Sequence, residues 1–203
     1  MKVNRTERWF VNSPFRRVMQ YLETAWFTRV YPLETGGRIL EIGCGGGAGA
    51  ELIVANYRPQ TLHLMDLDPL MLAKAKARLV PRSGASFSFS VGDAARLPYH
   101  GDRMDAVFGF GVLHHVPLWQ KSLQEVARVL KPGGIYFMVE FYPGLYQNVV
   151  TRRILVHPES NRFESLDLLE MFERVNLQLA RTFELKHLGI LGVGVKGGAV
   201  SLP

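Results

Sequence analysis

One cysteine, Cys44, in 203 residues excludes an internal disulfide, and with no thiol neighbour it cannot begin a thiolate metal site; both fit a reducing compartment. No run approaches the roughly 20 uninterrupted apolar residues that a membrane span needs. The first residues, MKVNRTERWFVNSPFRR, lack the apolar centre of a secretory leader, so a cytoplasmic protein is expected. There is no internal repeat and no low-complexity segment, which excludes a repeat architecture. What is present is 47% hydrophobic and 21% charged residues, enough for one full core, and a single domain over residues 1–203 is expected. The net charge of +6 is concentrated at the start, where residues 1–38 carry seven Lys/Arg against three Asp/Glu. Such a segment can face an anionic substrate, a membrane surface or nucleic acid, or be a solvated helix face.

The stretch NSPFRRVMQYLETAWFTRVY has Ser13 as a helix N-cap and Pro14 at the first helical position. Phe15, Val18, Met19, Leu22, Ala25, Trp26 and Val30 recur at helical spacing, while Arg16, Arg17 and Gln20 make a polar face. The spacing predicts an amphipathic helix whose apolar stripe lies against the body of the protein or against an apolar ligand. From Arg38 onward short apolar runs alternate with amphipathic segments. Strands are predicted at RILEIG, LHLMD, SFSFSVGD, MDAVFGF and GIYFMVEF, and helices at AGAELIVANY, PLMLAKAKARL and WQKSLQEVARVL. This alternation implies right-handed crossovers and a parallel sheet with helices on both faces. Near the end, ESLDLLEMFERV reads as a helix, and two strands flank a short turn at residues 186–189, which makes them antiparallel.

RILEIGCGGGAGAELI places Glu41 inside an apolar run that ends in glycines. A carboxylate there is costly to bury without a partner. Strand, glycine turn and helix in succession bring backbone N–H groups and a helix N-terminus to the carboxyl end of the first strand, where open parallel sheets bind ligands. Gly43, Gly45 and Ala48 also satisfy a dinucleotide fingerprint, with Asp66 at about the distance that holds a ribose, so these residues alone leave a nicotinamide enzyme open.

Taken together, LEIGCGGG, HLMDLDPLMLAKAKARL, GDAARLPYHGDRMDAVFGFGVLHHV and ARVLKPGGIYFMVE resemble the class I S-adenosylmethionine-dependent methyltransferases over residues 38–140. The resemblance implies an α/β fold with a doubly wound, mostly parallel seven-stranded sheet and an antiparallel C-terminal hairpin. It implies a cofactor-binding core at 38–140, a helical lid at 1–37, and a substrate insertion with the last strands at 141–203. S-adenosylmethionine would be the cofactor, held by Glu41, Gly43, Gly45, Gly47, Asp66, Leu67, Asp93, Ala94 and Gly109. Glu41 would organise the methionine end, whose ammonium a carboxylate offsets while loop amides receive its carboxylate. Asp66 would accept from both ribose hydroxyls, as an acceptor-only, two-oxygen group can. Asp68 would cap the helix that Pro69 begins, Asp93 with Ala94 would meet the adenine, and Asp105 would serve the end of the fourth strand.

His114 and His115 follow the fourth strand, and His114 is the candidate catalytic residue, since histidine suits proton removal near neutral pH. Packing is the alternative. No third ligand is spaced to make the pair a metal site. The glycines Gly109 and Gly111 permit close approach of cofactor and substrate. The acceptor would be a small molecule, such as an aromatic, quinone-like or lipid-like one, positioned by Trp9, Phe10, Trp26, Tyr31, Tyr142, Tyr146, Arg152, Arg153 and His157. Nucleic acid is disfavoured, because FGFGVLHH stands where amino-group DNA and RNA methyltransferases carry a DPPY or NPPY element. Peripheral membrane contact remains compatible with the basic N-terminus.

Overall fold

The computed structural model describes residues 13–80, 85–146 and 161–197. Its elements run α1 (Pro14–Val30), β1 (Arg38–Ile42), α2 (Ala48–Tyr57), β2 (Thr61–Asp66), α3 (Pro69–Leu79), β3 (Ser86–Val91), β4 (Met104–Phe110), a 3₁₀ turn (Leu113–His115), α4 (Trp119–Val129), β5 (Leu130–Phe141), α5 (Pro143–Tyr146), α6 (Ser165–Arg174), β6 (Leu177–Leu185) and β7 (Gly189–Lys196). The seven strands form one sheet in the order β3-β2-β1-β4-β5-β7-β6. β1 to β5 pair in parallel, and β7 inserts antiparallel between β5 and β6. This is the doubly wound sheet with an antiparallel hairpin that the sequence pattern predicts. The order reverses at β1, which puts the end of that strand at the switch point where such sheets bind ligands.

The central strands are apolar throughout because helices cover both of their faces. Leu40, Ile42 and Val107 pack with Trp119, Leu123 and Val126 of α4 and Phe172 of α6 on one face. Ile39, Phe108 and Phe137 pack with Tyr57 of α2 and Phe27 of α1 on the other. The Phe108 and Phe137 rings stack at 4.4 Å in the middle of that second layer. Local signals place the helices as expected: the Ser13 hydroxyl accepts from the Arg16 N–H at 3.2 Å, and Asp68 Oδ1 accepts from the Leu70 N–H at 3.0 Å. Asp105 is structural, accepting from the Arg38 N–H at 2.7 Å and from the Lys131 ammonium. β5 begins at Leu130, four residues before the apolar run, because Leu130 pairs with Met104 ahead of an irregularity that restores register at Ile135.

The orientation of α1 corrects the sequence reading. Phe15, Val18 and Leu22 of the apolar stripe are 62%, 58% and 61% exposed, whereas Arg16, Gln20, Glu23, Thr24 and Phe27 are buried. The inward face is polar at its first turns because its charges are paired: Arg16 Nη1 lies 2.9 Å from both Glu23 oxygens, and Arg16 Nη2 donates to the Phe110 carbonyl at 3.3 Å. Thr24 returns its hydroxyl to the Gln20 carbonyl at 2.8 Å. Only Phe27, in the helix's second half, enters the apolar core as a fully buried ring.

Candidate functional site

The turn after β1 opens a cleft at the carboxyl ends of β1, β2 and β4. Its described lining includes Gly43 to Gly46, Asp66, Leu67, Asp93, Ala94, Gly111, His115 and, from α1, Arg16 and Gln20. Gly43 and Gly45 have φ of +61° and +52°, a backbone that side chains resist. A Cβ on Gly43 would also meet Val112 at 2.7 Å. Asp66 ties the turn to β2: Oδ2 accepts from the Gly45 N–H and Oδ1 from the Asp68 N–H, both at 2.8 Å. Burial pushes the Asp66 carboxyl up, and these backbone donors oppose the shift. Each oxygen retains a lone pair for a further donor.

Glu41 is fully buried and does not line the cleft; it lies one layer below, under α2. Gly49 makes the space, since a Cβ there would stand 2.3 Å from Glu41 Oε1. Glu41 Oε2 has no hydrogen-bond partner among the described residues, and neither does Gln20 Oε1 on the cleft wall. Burial first, then the charge of Asp66, holds the Glu41 carboxyl well above the usual range, with Arg16 opposing. The same surroundings push the Cys44 thiol up, which makes it an inert packing group.

Of the residues expected at the cofactor, Gly43, Gly45, Asp66, Leu67, Asp93 and Ala94 come together on this cleft, while Gly47 and Gly109 do not line it. Gly47 is the N-cap of α2 and abuts Ala75 of α3. Gly109 is inside β4, paired with Met138 of β5, and its missing side chain accommodates the Tyr136 hydroxyl. Gly111, the other glycine expected to permit close approach, does line the cleft. Asp93 Oδ1 also accepts from the Ala95 N–H at 2.9 Å, which fixes its turn. Trp9, Phe10, Arg152, Arg153 and His157 lie outside the described residues.

His114 is buried behind the cleft wall, and His115 stands on it. Glu140, at the end of β5, holds His114: its Oε2 is 2.8 Å from His114 Nδ1, and the carboxyl accepts from the N–H groups of Val112, Leu113 and His114 at 3.1, 2.9 and 3.2 Å. Burial pushes Glu140 up to about 8 against those three donors and pushes His114 down to about 3. Burial thus disfavours the charged form of both groups. The His114 ring stacks on Tyr146 at 5.5 Å and meets Phe141 edge-on at 5.4 Å. A Cβ on Gly111 would sit 3.3 Å from His114 Cε1 and 3.0 Å from the Phe141 ring, so the glycine lets both rings pack close behind the cleft wall. The sequence reading does not single out Glu140, although it is a carboxylate in an apolar run as Glu41 is.

Residues 40–138 match a family described as methyltransferase domain. The fatty-acid O-methyltransferase of Mycolicibacterium smegmatis is 36% identical over 108 residues, 53% of this chain and 38% of that protein. The phthiotriol/phenolphthiotriol dimycocerosates methyltransferase of Mycobacterium leprae is 34% identical over 100 residues, 49% and 36% of the two chains. The matched stretch is thus well under half the length of either relative. A phosphoethanolamine N-methyltransferase of Haemonchus contortus, solved with phosphomonomethylethanolamine and S-adenosylhomocysteine, superposes with a TM-score of 0.72 over 88% of this chain and 53% of that one, at 18% identity, a likeness of fold alone. The glycine turn, the acids of the cleft and the seven-stranded sheet agree with that match to a methyltransferase domain. Over residues 40–138 the chain is thus similar to the class I S-adenosylmethionine-dependent methyltransferases.

The cofactor implied by that family fits the residues present. A cationic ammonium suits the orphaned acceptor Gln20 Oε1 on the cleft wall, with Glu41 Oε2 orphaned one layer below, and an anionic carboxylate suits Arg16, the one Lys or Arg among the described lining residues. No helix among the described residues is long and apolar enough to cross a membrane.

Proposed function

We propose that the chain transfers a methyl group from S-adenosylmethionine to an oxygen of a lipid-like small molecule. The observation that carries the reading is the cleft at the end of β1, where the glycine turn, Asp66, Asp93 and Arg16 stand together, with the buried His114–Glu140 pair behind its wall. The bound cofactor supplies an electrophilic methyl group on a sulfonium. The chain's own part is to orient: Asp66 for the ribose, Asp93 and Ala94 for the adenine, and Glu41 and Gln20 toward the ammonium. An in-line displacement can draw roughly 7–11 kcal/mol from positioning, so no covalent residue is required. His114 takes the acceptor's proton, and Glu140, 2.8 Å from its Nδ1, orients the ring. The lipid-like acceptor rests on the names of the relatives. The expected setting is cytoplasmic, and α1 acts as one wall of the site in a single catalytic domain.

The test measures S-adenosylhomocysteine formation with hexadecanoic acid, a long-chain alkyl phenol, a reduced quinone and bulk RNA as acceptors. Turnover with a lipid-like acceptor supports the reading, and turnover confined to RNA overturns it. Within the same model, Asp66→Ala is expected to weaken S-adenosylhomocysteine binding by about 1.5–3 kcal/mol, the scale for hydrogen bonds to a charged group. Calorimetry checks this, and an unchanged affinity removes Asp66 from the site. Cofactor binding is also expected to release protons, because a nearby ammonium lowers the raised Glu41 carboxyl. Titrations in buffers of different ionisation enthalpy should show that release in the wild type and its loss in Glu41→Gln.

A further inference from the structure

Further along α1, beside the cofactor cleft, lies an apolar groove of about 390 Å³ between α1, the end of β5 and the β6–β7 hairpin. Met19, Leu22 and Trp26 form one wall, and Phe141, Leu185 and Leu188 stand on the others. Leu22, Leu185 and Leu188 are exposed at its rim, with apolar surface left in water. No Lys, Arg or His occurs in its described lining, and its only charged side chains are Glu23 and Glu140, both buried. An anionic group inside would meet two carboxyls and no cation, so the groove suits an uncharged apolar chain.

The groove and the cofactor cleft are one layer of side chains apart. On the helix side that layer is the pair Arg16, which lines the cleft, and Glu23, which lines the groove, 2.9 Å apart. On the sheet side it is Phe141, which lines the groove, and His114, whose partner Glu140 also lines it. A Cβ on Gly111 of the cleft would touch the Phe141 ring at 3.0 Å. A chain lying in the groove therefore ends against Phe141 and Glu140, one side-chain layer from the cleft, and this adjacency distinguishes it from a surface for a protein partner.

We propose that this groove holds the long alkyl or acyl chain of the methyl acceptor, with the acceptor's polar head at Phe141 and His114. The assignment rests on the methyl-transfer reading and gives the apolar part of its acceptor a place. Chain length should matter, because each buried CH₂ contributes about 0.8 kcal/mol, or roughly a fourfold gain in affinity, until the groove is full.

The probe is cis-parinaric acid, an 18-carbon acid that fluoresces on burial, titrated against the full chain alongside S-adenosylhomocysteine. Leu22→Asp and Leu185→Asp place a charge on opposite walls at exposed positions that folding tolerates, checked by thermal melting. Each is expected to weaken parinaric acid at least tenfold, with S-adenosylhomocysteine affinity within twofold of wild type. Val18→Asp, exposed on the same helix but outside the groove, is expected to change neither. Wild type that binds S-adenosylhomocysteine but not parinaric acid overturns the groove assignment, as do groove variants that keep full affinity. An equal loss in Val18→Asp overturns it in favour of adsorption to the apolar helix surface. Parinaric acid bound in the groove without any S-adenosylhomocysteine binding supports the groove and overturns the methyl-transfer reading instead.

Discussion

Replacing Arg16 with methionine is expected to lower stability by about 3–5 kcal/mol, the usual cost of leaving one member of a buried ion pair alone. Arg16 and Glu23 are each 4% exposed, so solvent offers the orphaned carboxylate little relief. Burial already raises the Glu23 carboxyl, and Arg16 is what opposes the shift. Without Arg16 the folded-state value rises further above the unfolded one. A group shifted in that direction gives its full stability below the unfolded value and loses it as pH rises through the folded value. The deficit of Arg16→Met should therefore be larger at pH 8 than at pH 5 in urea titrations. The double variant Arg16→Met/Glu23→Leu should recover to within about 1 kcal/mol of wild type, since a packed apolar pair can replace a buried ionic one. A single variant that loses less than about 1 kcal/mol would mean that α1 sits in solution with Phe15, Val18 and Leu22 inward.

That helix marks the boundary of what periodicity can read. Its sequence contains two stripes at helical spacing, one apolar through Phe15, Val18 and Leu22, and one through Arg16, Gln20, Glu23 and Phe27. Hydrophobicity alone selects the first. The structure selects the second because Arg16 and Glu23, seven residues apart, satisfy each other and because Phe27 fits against Phe108 and Phe137. Neither fact is local. The strands from Arg38 to Phe141 were legible because burial on both faces leaves an apolar run with little competing pattern. Even so, β5 starts early, since Leu130 is recruited by Met104 across the sheet.

The acids divide in the same way. Asp66 and Asp68 have different duties that the dipeptide Asp68-Pro69 already signals, and the caps appear where expected. Glu41 announces itself as a charge in an apolar run, yet the space that admits it comes from Gly49 on the following helix, a residue that a glycine-rich turn hides among its neighbours. Glu140 carries the same signal at the end of GIYFMVE. Its meaning depends on the turn from Val112 to His114, 26 to 28 residues earlier in the chain, whose N–H groups converge on it.

The largest kinetic effect is expected from that convergence. His114→Ala should lower the methyl-transfer rate by about 10²- to 10⁴-fold, the range for a positioned acid–base group, while cofactor affinity changes little. Glu140→Gln separates proton removal from packing. The amide still offers an oxygen to the backbone N–H groups, but it cannot carry the negative charge that makes His114 a better base. Wild-type single-turnover rates should rise with pH through about 8, where Glu140 ionises, and the rise should be absent from Glu140→Gln. Stability should move oppositely. The raised Glu140 value means that its contribution is complete below the unfolded value of 4.5 and declines as pH climbs toward 8. Wild type should therefore lose stability relative to Glu140→Gln across the interval in which its rate increases. A purely structural pair predicts the stability trend alone, with a flat rate profile and a His114→Ala rate near wild type; that combination would remove His114 from the chemistry and leave orientation of the acceptor as the whole of the catalysis.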